Sequence, residues 1–146
     1  METEARDEKI DGPRVAARIL NRMPPTKKKA LLERLSQSDP VTFKAISENV
    51  INFEDIATIT DVGIQRLIKE IPHNQLVIAL KSAPENVAEA LFNNMSSTKR
   101  KLVIEDLQSK APIKISEIQE AQRQICVMMD RLRTLGAIVS RVDIVE

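Results

Sequence analysis

Prolines stand at 13, 24, 25, 40, 72, 84 and 112, and between them apolar residues recur at intervals of three and four. No other feature limits the fold as much. A proline inside a helix removes a hydrogen bond and clashes with the preceding turn, but at the first helical position it does neither. The chain therefore reads as a succession of short helices, an all-α protein.

Gly12-Pro13 opens the first helix, with Val15, Ala16, Ile19, Leu20 and Met23 as its apolar stripe, and Pro24-Pro25 stops it. Thr26 can cap a second helix that buries Leu31, Leu32 and Leu35. Asp39 as cap and Pro40 at the first position start a third, with Phe43, Ile46, Val50 and Ile51 as apolar positions. Three short helices in this span resemble one armadillo-like unit, which cannot bury its apolar face alone.

A second rhythm begins at Phe53. Asp61 can cap a helix carrying Ile64, Leu67, Ile68 and Ile71 at i, i+3, i+4 and i+7. Pro72-His73-Asn74 is a turn, and Leu76 to Leu80 a short buried helix. Ser82 and Glu85 have capping-box spacing for a helix with Val87, Ala88, Leu91, Phe92 and Met95. Ser96 or Ser97 then caps a charged helix in which Thr98, Lys101 and Glu105 share one face, while Val103, Ile104 and Leu107 point to a core. Leu102 falls among the acids on the helical wheel and breaks the pattern. Ser116 and Gln119 have the same capping spacing for a long helix of Ile118, Ala121, Ile125, Met128, Met129, Leu132 and Leu135, which Gly136 ends. The tail from Ala137 alternates weakly, as an edge strand or a loose end would.

The functional signals are few. Cys126 is the only cysteine, so no internal disulfide forms and a reducing, cytoplasmic setting is expected. No apolar run approaches the ~20 residues of a membrane span. Residues 1–12 hold five acids and two bases and read as a disordered tail. Residues 13–51 hold eight bases and three acids. Lys27-Lys28-Lys29 reads as a solvated first turn, although cations at a helix start are unfavourable and helix stability did not select them. With three phenylalanines and no Trp or Tyr, stacking platforms for nucleic acid are nearly absent. His73 reads as a surface turn residue and Cys126 as a small buried hydrophobe. Lys81 either faces a partner or softens the end of its own helix. No catalytic triad, carboxylate pair, metal cluster or glycine-rich phosphate loop appears, so no enzyme activity, cofactor or metal is expected.

Seven strings occur in a telling order: Phe53-Glu54-Asp55-Ile56, Ile64 to Ile71, Ile78-Ala79-Leu80-Lys81, Asn93-Asn94-Met95-Ser96, Glu105-Asp106-Leu107, Pro112 to Glu117, and Glu120-Ala121-Gln122. In this register, from about Gly12 to Val139, the chain resembles the C-terminal part of the bacterial flagellar motor switch protein FliG. The resemblance implies an armadillo-like unit at 13–49, a flexible linker of Val50, Ile51, Asn52 and Phe53, and a six-helix C-terminal domain at 54–146, a right-handed superhelix of short helices. It also implies a non-enzymatic rotor and switch component at the cytoplasmic face of the membrane. Its partners would be a MotA-like stator loop, FliM-like switch proteins and neighbouring subunits. The stator-facing charges carried over are Lys81, Glu105, Asp106 and Lys114, the last in place of an arginine. The torque-helix arginine falls on Thr98, so Lys101, one turn along, is expected to supply the positive end. Self-association is expected through Ile19, Leu20, Leu31, Leu35 and Ile46. Two other readings stand beside this one: an adaptor that kept the fold without torque generation, and a basic nucleic-acid binder, which the near-neutral net charge of +1 opposes.

Overall fold

The computed structural model describes residues 12–109 and 112–138. The expectations for the tail before residue 12 and for an end strand beyond residue 138 lie outside them. Eight helices follow one another: α1 (Gly12–Asn21), α2 (Pro25–Ser38), α3 (Pro40–Ser47), α4 (Asp61–Glu70), α5 (His73–Leu80), α6 (Glu85–Asn93), α7 (Ser97–Ser109) and α8 (Ile115–Thr134), with a 3-10 turn at Phe53–Thr58. The described residues are all-α, as the proline spacing requires.

The helix ends follow local chemistry. Asp39 caps α3 as expected, accepting from the Thr42 amide at 3.1 Å, with Pro40 in the first turn. Ser96 caps α7, accepting from the Lys99 amide. Four helix starts, the box at Ser116 and Gln119 among them, differ from the expectation by one or two residues. Thr60, not Asp61, caps α4 through the Gly63 amide. Pro84 rather than Ser82 precedes α6, and Pro24 rather than Thr26 precedes α2. The box at α8 pairs the Lys114 amide with Glu117, because the helix starts at Ile115. Gly136, at φ 76°, ends α8 in a Schellman arrangement: its amide reaches the Arg133 carbonyl and the Ala137 amide reaches Leu132.

Two cores form. Ala17, Leu20, Ile46 and Val50 make the smaller one, with Met23, Leu32 and Leu35 packed against it. The larger runs from Ile51 to Ile138 and takes in Ile56, Ile64, Leu67, Leu76, Leu91, Val103, Ile125 and Met129. The long helix α8 serves both units, packing on α4, α5 and the 3-10 turn and also on α1. Arg123 donates to the Arg22 carbonyl at 2.8 Å, Arg133 to the Asn49 carbonyl at 2.9 Å, and Arg18 sits 3.6 Å from Asp130.

The α1 stripe needs correction. Val15 and Ile19 are 52% and 60% exposed, whereas Ala17, Leu20 and Asn21 are buried. On a helical wheel the two sets lie on opposite sides, and the buried one is chosen because α1 must face both α3 and α8. Likewise Leu31 is 43% exposed at the edge of α2, and Lys28 takes the inward position beside Leu32 and Leu35.

Residues 50–53, expected as a flexible linker, are held in place. Val50, Ile51 and Phe53 are buried, Val50 in the smaller core and the other two in the larger. Buried Asn21 accepts the Ile51 amide at 2.7 Å and donates to the Asn49 carbonyl at 3.4 Å. Lys28 Nζ donates to the Ile51 carbonyl at 2.7 Å. Asn52, the one exposed member, is fixed through its amide to Asp55. A backbone polar group this far from water must be paired, and side chains of α1 and α2 do the pairing.

Candidate functional site

The charged helix α7 has a narrow anchor. Val103 is fully buried, while Ile104 and Leu107 are half-buried and Leu102 is 50% exposed. The helix packs chiefly on α5. Arg100 lies 5.8 Å from the Phe92 ring centroid, which ties its first half to α6. This places Thr98, Lys101 and Glu105 in solvent. Lys101 and Glu105 are one turn apart, yet neither makes an ion pair among the described residues.

The other expected charges are placed differently. Lys81 is half-buried at the end of α5, and its Nζ donates to the Leu107 carbonyl at 2.8 Å. It therefore meets the end of a neighbouring helix, not solvent alone and not its own helix. Asp106 pairs with His73, with Nε2 and Oδ2 2.6 Å apart. The histidine read from sequence as a plain turn residue is thus the first residue of α5 and a partner of the charged helix. Lys114 is exposed at the start of α8. The structure accordingly brings Lys101 and Glu105 together on one exposed face. It joins Lys81 and Asp106 to α5 contacts behind that face.

A groove of about 640 Å³ lies elsewhere, between α2, α3, the 3-10 turn and α8. Leu32, Phe43, Val50, Phe53 and Cys126 contribute to its wall. Burial pushes the Cys126 thiol up to about 12, so it is a protonated, unreactive group at neutral pH. Arg123, which also lines this groove, donates two short hydrogen bonds of 2.8 and 2.6 Å to Glu120, and this holds the Glu120 carboxyl at about 2. The residues expected at an oligomer interface divide: Leu20 and Ile46 are buried within the chain, Leu35 is half-buried, and Ile19 and Leu31 are exposed. Among the described residues no group of His, Cys, Asp and Glu could hold a metal, and no helix is long and apolar enough to cross a membrane.

Comparison with known proteins decides the family. The model of the FliG C-terminal domain matches residues 33–139. The chain belongs to the FliG C-terminal domain family. Flagellar motor switch protein FliG of Aquifex aeolicus is 35% identical over 130 residues, which cover 89% of this chain and 40% of that protein. The Thermotoga maritima FliG is 32% identical, covering 90% of this chain and 39% of the relative. The crystal structure of H. pylori FliG residues 86–343 superposes with a TM-score of 0.69 at 30% identity, covering 94% of this chain and 65% of that one. Full-length FliG from Aquifex aeolicus gives a TM-score of 0.59 at 34% identity, covering 92% and 42%. The chain thus spans about 40% of the length of these curated relatives. Both curated relatives are named as flagellar motor switch proteins.

Lys28 and Asn21, like His73, are polar residues whose contacts sequence reasoning missed. A signal for Lys28 existed: three lysines at a helix start oppose the helix dipole, so a tertiary contact had to hold at least one of them. For Asn21 the sequence offered none.

Proposed function

We propose that this FliG C-terminal domain is the rotor-side surface of a flagellar motor switch, meeting the cytoplasmic loop of a MotA-like stator through α7. The observation that carries this reading is that two opposite charges, Lys101 and Glu105, are exposed on one helix face and make no ion pair among the described residues. Thr98 is exposed in the same row, so its missing charge is compensated by Lys101 one turn further on. Asp106 and Lys114 flank this pair, the first partly engaged by His73. Exposed pairs are worth about 0.2–1 kcal/mol each, so such a face supports transient, repeated contact better than stable docking. Complementary charge also steers encounter, and like charges brought together are strongly unfavourable. The domain would sit at the cytoplasmic face of the membrane with FliM-like switch proteins nearby. Neighbouring subunits would meet it through the exposed Ile19 and Leu31.

The test grafts this chain onto the N-terminal and middle portions of a FliG, in a strain lacking the switch protein. The graft should restore swimming. Lys101→Glu or Glu105→Lys alone should slow it, and the double reversal should restore part of the loss if the stator carries the matching reversals. Normal swimming by Lys101→Glu, with expression and ring assembly intact, would sink the reading.

A further inference from the structure

Helix α5 touches α7 at both of its own ends. His73, its first residue, meets Asp106, and Lys81, just past its last turn, reaches the Leu107 carbonyl. These two acceptors are adjacent in sequence and lie in the last turn of α7, which ends at Ser109. The last four carbonyls of a helix have no partner within it, and Leu107 supplies one of them. An ammonium there satisfies the acceptor and also meets the negative end of the helix dipole. The need is real, because α7 has a single fully buried side chain, Val103, to resist rolling or fraying.

We propose that Lys81 and His73 are positioning residues, a clamp that holds the C-terminal half of α7 against α5 and so fixes the direction in which Lys101 and Glu105 project. Lys81 is then not a partner-facing charge. Its Nζ is spent on a backbone carbonyl 26 residues away, and its side chain is half-buried. Asp106 is likewise shared with His73, which leaves Glu105 as the fully offered acid of the adjacent pair. The functional part of this inference rests on α7 being the partner-facing helix; the clamp itself does not.

Hydrogen exchange on the chain tests the clamp without a motor. Lys81→Met removes the donor and keeps most of the apolar stem, and should speed exchange of the amides at 103–109 about fivefold, the loss of one net hydrogen bond. Lys81→Arg keeps a donor and should preserve protection. Lys101→Met, on the open face, should change it by less than about twofold. Unchanged protection in Lys81→Met would overturn the clamp. In the grafted motor, His73→Ala supplies the second arm, since His73 is no partner-facing cation. The clamp requires His73→Ala and Lys81→Met to slow swimming alike, whereas normal swimming by His73→Ala beside a Lys81→Met defect would return Lys81 to the partner face and overturn the inference. If the parent graft fails to swim, the motor reading fails, and the exchange result still decides the clamp.

Discussion

Asn21→Ala is the sharpest probe of how the two units are joined. Asn21 is 1% exposed, and its Oδ1 accepts the Ile51 amide at 2.7 Å. Alanine leaves that amide buried without an acceptor, because Ile51 itself is 4% exposed and water cannot replace the lost oxygen in place. An orphaned buried donor costs about 1–3 kcal/mol. Losing the longer bond to the Asn49 carbonyl matters less, since Arg133 also donates to that oxygen at 2.9 Å. A destabilisation of about 2 kcal/mol is therefore expected, or a fall in melting temperature of roughly 4–8 °C for a chain of this size. Urea unfolding by circular dichroism, with the slope checked for two-state behaviour, gives the free energy. The variant should also loosen the joint, which relaxation of backbone amides on either side of Ile51 would report. If residues 50–53 were a free linker, Asn21→Ala would behave as a surface change, within about 0.5 kcal/mol. That result would refute the reasoning.

Two further predictions follow from close packing and from charge. A Cβ on Gly63 would lie 2.7 Å from Ile59 Cγ2 and 3.3 Å from Ile138 Cβ, so Gly63→Ala should destabilise by about 1–3 kcal/mol, as read by thermal melting; an unchanged or higher melting temperature would contradict the crowding. Glu120 titrates at about 2 when folded, below the ordinary value of 4.5, so its contribution is complete above pH 4.5 and is lost as the pH falls towards 2. Its side chain is half exposed, which limits the effect to under about 1 kcal/mol; Glu120→Gln should lower stability at pH 7 and flatten the stability curve over that acid range, and a curve parallel to the parent's would count against the Arg123 pairing.

The positions of the helices were legible in the sequence because the signals are local. Pro13, Pro40, Pro72 and Pro112 act on their own turns, Asp39 and Ser96 cap residues three positions away, and Gly136 is free to take the positive φ that ends α8. The open face of α7 was legible for the same reason: Lys101 and Glu105 follow from the period once Val103 is placed inward. The choice of buried face on α1 was not, since Val15 and Ile19 are as apolar as Ala17 and Leu20, and only docking against α3 and α8 separates them. Nor were the polar ties. Lys28 meets Ile51, Asn21 meets Ile51, His73 meets Asp106 and Lys81 meets Leu107 across 23 to 33 residues of chain. A lysine or asparagine has the same local preferences whether it ends in water or against a carbonyl. Its partner exists only after two helices have packed, so the tertiary structure alone decided that residues 50–53 are held and that Lys81 faces α7.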